Sequence, residues 1–211
     1  AFESVWSSDR AVNSSRMSTE TNKFVRLLES LEGFESFEVV LVGDFMLDQQ
    51  IRGAAERLSP EAPIPILRAT SHRDVTSAPG GSGNVASCLA ALGAQVHCFG
   101  VIGDDPEGVL LSDMLAREGC DVTGFVVDSE RPTTVKRSLV GLAQQRHPQK
   151  MFRLDFESSD PMSDSISTEL IARIHSALET ASIVCIEDYA KGVCTDAVCQ
   201  AVIEVARQRG I

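Results

Sequence analysis

The apolar positions of this chain alternate between short continuous runs and longer stretches with a spacing of three and four. Glu38-Val-Val-Leu-Val42 is an unbroken β-branched run that ends in Gly43-Asp44, the pattern of a central strand buried on both faces whose end opens into a site. Gln95 to Val101 and Ser182 to Glu187 read as further strands. Helical spacing is predicted over Asn22 to Leu31, where Phe24, Leu27, Leu28 and Leu31 share a face and Gly33 supplies a stop. It recurs over Gly83 to Leu92, Asp105 to Glu118, Ile166 to Leu178 and Thr195 to Arg209. Strands alternating with helices of this length predict an α/β fold, a parallel sheet sandwiched by helices. Ile64 to Thr70, Thr133 to Val140 and Met151 to Asp155 break the alternation: they have strand composition and partly polar faces, with no helix between them. They predict a small accessory antiparallel sheet over one edge, with His147 to Lys150 as an exposed turn. Ala1 to Thr21 is rich in Ser, Asn and Asp without a sustained period and is expected to be a disordered tail, with Met17 as a possible true start.

Composition narrows the function classes. The 211 residues suit one α/β folding unit with a real core, or a domain with an appendage. Nineteen basic against thirty acidic residues give a net charge of −11, which repels nucleic acid and anionic membrane in the absence of a basic cluster. No apolar run approaches membrane-spanning length, so a soluble protein with neither partner, working in the cytoplasm, is expected. The six cysteines are scattered without a C-x-x-C pair and read as reduced, small hydrophobic residues. His72, His97, His147 and His175 lack a partner at ligand spacing and carry no assigned role, and no metal site is expected in the chain.

The strongest local signal is Pro79-Gly80-Gly81-Ser82-Gly83-Asn84 at the start of a predicted helix, where bare backbone N–H groups and the positive end of the helix dipole meet a ligand. Gly81 to Ala86 also satisfies G-x-G-x-x-A, with Asp104 at the distance of the ribose-binding acid. That fingerprint requires a buried strand before the first glycine, whereas Ser71 to Pro79 is polar and ends in a strand-hostile proline. A packing role for a glycine-rich helix start is the plain alternative.

Five segments together resemble the ribokinase (phosphofructokinase-B) superfamily of carbohydrate kinases: Val42 to Asp48, Arg57 to Pro65, Gly80 to Ala86, Arg131 to Lys136 and Asp188 to Gly192. The Ser-Pro-Glu-Ala-Pro and Asp-Tyr-Ala-Lys-Gly segments are most similar to the heptose-7-phosphate kinase branch of ADP-heptose synthesis. The resemblance implies a ribokinase-like fold with a lid made of strands near residues 49–77 and 131–156, the substrate-binding part covering 22–211. It implies that Asp48 and Asn84 hydrogen-bond sugar hydroxyls while Gly80 and Gly81 give backbone access. Asp44, Asp188 and Lys191 then line the same cleft, with Lys191 on the substrate phosphate. Lys136 and Arg153 reach the phosphate from the lid or brace a partner subunit, and a homodimer through the lid strands is expected. Each has a plainer reading: Asp48 as a turn or helix cap, Lys191 as a solvated helix-end lysine, Lys136 and Arg153 as a solvated strand face.

Family members continue for roughly another hundred residues with the nucleotide site, an Asn-x-x-Glu segment tied to magnesium, and Gly-Ala-Gly-Asp carrying the base. This sequence contains neither motif, so the C-terminal part is expected to be missing, ATP and Mg2+ to be cofactors of the full-length parent, and the 211 residues alone to be inactive. Two other classes remain at this point: a free-standing sugar-binding or dimerisation module, which predicts a stop codon after Ile211, and a nicotinamide or flavin enzyme, which predicts cofactor absorbance on titration.

Overall fold

The computed structural model describes residues 23–26, 37–142 and 147–211. Residues 1–36 form a unit of their own, in which 23–26 are helical. The remainder of the expected first helix and the expected tail lie outside the described residues.

The second unit, 37–211, is organised around β1 (Glu38–Gly43). Val39, Val40, Leu41 and Val42 are completely buried because successive side chains leave opposite faces and each face is covered. Val39 and Leu41 pack with Ala86, Leu111 and Leu115, while Val40 and Val42 pack with Leu170, Ile174, Val198 and Val202. These partners come from four helices: α1 (Ser82–Ala91) and α2 (Pro106–Arg117) on one side, α3 (Asp164–Ala177) and α4 (Asp196–Arg209) on the other. Local signals set the helix ends. Asp105, Ser163 and Thr195 cap α2, α3 and α4 through their side chains, and Gly210 closes α4 in the left-handed conformation.

Nine further strands complete the unit: β2 (Phe45–Leu58), β3 (Pro65–Arg68), β4 (Val75–Gly81), β5 (Gln95–Phe99), β6 (Val101–Gly103), β7 (Val126–Asp128), β8 (Thr134–Leu142), β9 (Gln149–Phe156) and β10 (Ile183–Glu187). The central sheet has the order β10-β1-β5 and is parallel throughout, with Val40 opposite both Val184 and His97. This is the expected sandwich. The run expected as one strand over Gln95 to Val101 is broken at Gly100, where a Cβ would stand 2.7 Å from the Gly43 carbonyl and from Phe45. After the break β6 pairs with β7 instead.

A second sheet has the order β3-β2-β8-β9, with β4 also paired to β2. Thr134 to Leu142 therefore lies outside the central sheet, as expected. The sheet is mixed rather than purely antiparallel, since β2 and β8 run parallel. Three segments correct the sequence reading. Asp48 does not follow a strand but lies inside β2, a 14-residue strand that begins one residue after Asp44. The polar stretch before the glycines is the strand β4, and Pro79 is tolerated there because β4 pairs only with β2. Gln149 and Lys150 belong to β9 and not to a turn, whereas His147 and Pro148 are irregular.

The two sheets meet at Asp44. Its carboxylate is 1 % exposed and accepts hydrogen bonds from three backbone amides, Tyr189 (2.8 Å), Lys191 (3.1 Å) and Val193 (3.3 Å). Its own N–H donates to the Glu187 carbonyl and its carbonyl accepts from Ser82 N, both at 3.1 Å. One residue thus ties the ends of β1 and β10, the start of α1 and the 188–193 loop together. Within that loop Ala190 has a φ of 56°, a conformation that costs a non-glycine residue about 1 kcal/mol or more. The Asp44 bonds on either side, and Asp188 Oδ1 accepting from Ala190 N at 2.8 Å, hold it there.

Asp44→Asn keeps the shape but removes the charge and part of the acceptor capacity. The expected result is a loss of about 2 kcal/mol in urea unfolding, with faster hydrogen exchange at the amides of Tyr189, Lys191 and Val193. Unchanged exchange at those three amides would show that Asp44 does not hold the loop.

Candidate functional site

Open α/β sheets bind ligands beyond the carboxyl ends of their strands, and here that edge carries Gly43-Asp44 after β1 and Asp188 after β10. The glycine turn and the second sheet border the same region. Gly81 caps α1 with a φ of 54° and no side-chain cap bond, so the helix start presents backbone donors. Ser82 is anchored from beneath, its amide on Asp44 O and its hydroxyl on Glu187 O at 3.3 Å. Asn84, two residues on, is exposed.

Asp48 is the exposed member of an otherwise buried stretch of β2. Its carboxylate lies directly over the glycine turn: a Cβ on Gly80 would stand 2.6 Å from Asp48 Oδ2. Gly80 is therefore needed for the approach of Asp48 as well as for backbone access. Asp48 is in register with Lys136 on β8, which is in register with Asp155 on β9, so the three form a row on one face of the second sheet.

Each predicted cation is paired with a carboxylate. Lys191 Nζ is 3.0 Å from Glu157 Oε2, with its side chain 16 % exposed, and Lys136 Nζ is 3.8 Å from the same oxygen. Arg153 is forked onto both carboxylate oxygens of Asp155 at 2.8 and 2.7 Å, and that contact, with the nearby charges of Glu157 and Asp48, raises the pKa of its guanidinium. The structure thus joins Lys136 and Lys191 through Glu157 and ties Arg153 to the same row through Asp155. Lys191 is not a solvated helix-end lysine. Asp44, expected to line the cleft, does so only from below, since its carboxylate is committed to backbone amides. Asp188 is exposed, with Oδ1 on Ala190 N.

Two residues at this site were not among the candidates. Glu157 follows β9 immediately, and its only sequence signal is a carboxylate at a strand end. Arg131 lies before β8, its side chain 10 % exposed, and donates to the Asp160 carbonyl at 2.6 Å while its Nε faces Asp128 at 3.9 Å. It borders a narrow hollow with Thr134, Ser158 and Lys191.

The chemistry on offer is recognition. Asp48 accepts, Asn84 both donates and accepts, the start of α1 donates, and Lys136 and Lys191 supply charge. Magnesium demands oxygen ligands in near-octahedral array. Among the described residues the one cluster of metal-ligating type is Asp44, Asp188 and Cys194, and it combines a thiol with a carboxylate already accepting from three amides. These residues do not fit a magnesium–nucleotide site. The G-x-G-x-x-A reading also fails on context, because β4 is antiparallel to β2 and lies outside the parallel sheet.

Comparison with known proteins agrees with this architecture. Residues 37–211 match the model of the pfkB family carbohydrate kinases. A protein named bifunctional protein HldE from Rhodopseudomonas palustris (strain HaA2) is 42 % identical over 189 residues, covering 90 % of this chain and 37 % of that protein. One of the same name from Gluconobacter oxydans (strain 621H) is 35 % identical over 181 residues, covering 86 % and 36 %. The chain therefore spans little more than a third of the length of these relatives. Among solved structures, a possible 1-phosphofructokinase from Thermotoga maritima superposes with a TM-score of 0.60 at 17 % identity, covering 82 % of this chain and 51 % of that one. Arabidopsis thaliana ribokinase complexed with ribose and ATP gives 0.54 at 19 %, covering 84 % and 52 %. These two likenesses establish a ribokinase-like fold. The family match over the whole second unit, on a fold whose strand ends carry the acceptor and donor groups just described, identifies the chain as a member of the pfkB family of carbohydrate kinases.

Proposed function

We propose that this chain is the sugar-binding part of an ATP-dependent sugar-phosphate kinase, one that converts heptose 7-phosphate to heptose 1,7-bisphosphate in ADP-heptose synthesis for lipopolysaccharide. The observation that carries the reading is the placing of the Asp48 carboxylate over the Gly80-Gly81 turn, beside the Lys136–Glu157–Lys191 group. A hydroxyl acceptor next to paired cations suits a substrate with both a polyol ring and a phosphate. The resemblance of the Ser-Pro-Glu-Ala-Pro and Asp-Tyr-Ala-Lys-Gly segments to the heptose branch, and the relatives' shared name, support the choice of sugar.

In this reading Asp48 and Asn84 fix the ring by its hydroxyls, the start of α1 supplies backbone donors, and Lys191 meets the phosphate. Glu157 keeps Lys191 oriented until a phosphate competes for it. ATP and Mg2+ serve the full-length protein, where they neutralise charge developing on the transferred phosphoryl group. The 211 residues bind sugar without turning it over. Exposed Leu58, Phe152 and Leu154 of the second sheet, with Ile64 just before β3, support a homodimer formed through it. The cytoplasm is the proposed place of work.

In the full-length protein, Asp48→Ala and Asn84→Ala are expected to lower kcat/KM for the sugar phosphate ten- to a hundredfold, about 1.5–3 kcal/mol, with the KM for ATP nearly unchanged. Wild-type sugar kinetics in either variant removes that residue from the site. Lys191→Met is expected to weaken a phosphorylated sugar by about tenfold or more while barely affecting the same sugar without phosphate. Equal losses for both sugars would make Lys191 a structural residue.

A further inference from the structure

The outer half of the second sheet carries cations that the proposed sugar cleft does not use. Successive residues of a strand leave opposite faces and register partners share one, so the pairing decides which side chains stand together. On β2, Asp48 and Arg52 are exposed and Gln50 and Ala54 half-buried, whereas Leu47, Gln49 and Gly53 are buried, so the face of Asp48 is the open one. Arg52 is opposite Val140 and Val140 is opposite Lys150, which sets Lys150 on this face, and Ala54 is opposite Arg68. The base of the face holds the Asp48, Lys136 and Asp155 row; its outer end is basic.

Arg57 joins the same face through an irregularity. From the Ala54–Arg68 pair to the Arg57–Ile66 pair, β2 advances three residues while β3 advances two. In a regular strand the odd step would turn Arg57 to the other side; the extra residue of β2 keeps it on the face of Ala54 and Arg68. Gly53 supports the arrangement from behind, because a Cβ there would stand 2.7 Å from the Arg68 carbonyl. Arg57 and Arg68 line a hollow of about 230 Å3 together with Ala54, Glu56 and Ile66. The cations nearer the base, Lys136, Arg137 and Arg153, each have a carboxylate partner. Among the described residues no ion pair or side-chain hydrogen bond engages Arg57, Arg68 or Lys150, and Arg52 donates only to the Gln50 amide oxygen at 3.2 Å.

We propose that Arg57 and Arg68 form a binding site for the phosphoryl groups of a small metabolite, separate from the proposed sugar cleft. A guanidinium presents a planar fork that fits phosphate oxygens two at a time, and two such forks on one hollow suit a multiply charged oxyanion. Glu56 offsets one of these charges, while Arg52 and Lys150 on the same face raise the local potential against the net charge of −11. Ala54 and Ile66 give the carbon skeleton of the ligand an apolar wall. Ala54 lies six residues beyond Asp48 on β2, roughly 20 Å of extended strand, so a ligand here does not touch the sugar at Asp48. The exposed Leu58, Phe152 and Leu154 belong by register to the opposite face, and a dimer formed through them leaves the hollow open.

The test titrates inorganic pyrophosphate into the isotope-labelled 211-residue chain at fixed ionic strength and follows the arginine Nε–H signals by NMR. The Arg57 and Arg68 signals are expected to shift along one saturable curve, and Arg57→Gln or Arg68→Gln to weaken that binding about tenfold or more. Arg57→Lys keeps the charge but not the fork and is expected to weaken it as well. Both arginines are exposed, so these variants leave the core intact. Lys191→Met strikes the proposed sugar cleft and should leave the curve unchanged, so failure of the sugar reading and failure of this site are told apart. Absence of shifts at Arg57 and Arg68, equal shifts at Arg117 and Arg207, or wild-type binding by Arg57→Lys would overturn the proposal. So would shifts that follow protein concentration instead of pyrophosphate, the mark of a second, acidic copy of the chain seated on the hollow.

Discussion

A single buried carboxylate holds the proposed sugar cleft together. Asp44 occupies the one residue between β1 and β2, where the chain leaves the central sheet and enters the second. A charge taken out of water there is tolerable only if it is fully hydrogen-bonded, and three loop amides provide this. The arrangement works in both directions. The loop gains an anchor that keeps Ala190 in an unfavourable conformation and so fixes the direction of Lys191, and the carboxylate gains solvation in place of water. Because Ser82 N also reaches the Asp44 carbonyl, the start of α1 is set by the same residue. The recognition groups thus rest on a junction of main chain rather than on one mobile loop.

The second constraint is charge. If a chain of net charge −11 is to meet an anionic sugar, as proposed, it must do so with local donors. The cleft does not collect free cations; each candidate cation has a carboxylate partner, Glu157 for Lys136 and Lys191 and Asp155 for Arg153. Lys136, Lys191 and Arg153 are balanced by Glu157, Asp155 and Asp48, so an anionic ligand would depend on backbone donors such as those of α1. Pairing also keeps the lysines ordered, which reduces the side-chain entropy lost when substrate binds. The same acidic surroundings explain the thiols nearby. Burial, followed by the charge of Asp44, pushes the Cys194 thiol up to about 12, and burial, followed by the charge of Asp188, pushes Cys199 up.

The elements that sequence revealed are those whose local pattern and burial agree. β1 and β10 read as strands because they are continuous and β-branched, and the four helices read correctly to within a few residues because their periodicity and caps coincide. β2 was hidden because a change of sheet at Asp44 leaves no local signature and because Gly53-Ala54-Ala55 interrupts its pattern. β4 was hidden because it is an exposed, polar strand with a proline, and β7 because it has three residues. Among the site residues, the closeness of Asp48 to Gly80 follows from strand pairing, whereas Asp44 binds amides 145 to 149 residues away, a distance no motif spans. Glu157 is legible only once Lys136 and Lys191 are placed on either side of it.

The central claim is that the end of β1, the glycine turn and the second sheet form one sugar-phosphate cleft. Amide NMR of the 211-residue chain during titration with heptose 7-phosphate tests it most directly. The account predicts saturable shifts at Asp48, Gly80, Gly81, Asn84, Lys136 and Lys191 that follow one binding curve, with the amides in the middle of α3 and α4 unmoved. Shifts confined to a single sheet, or separate curves for Asp48 and Lys191, would contradict it.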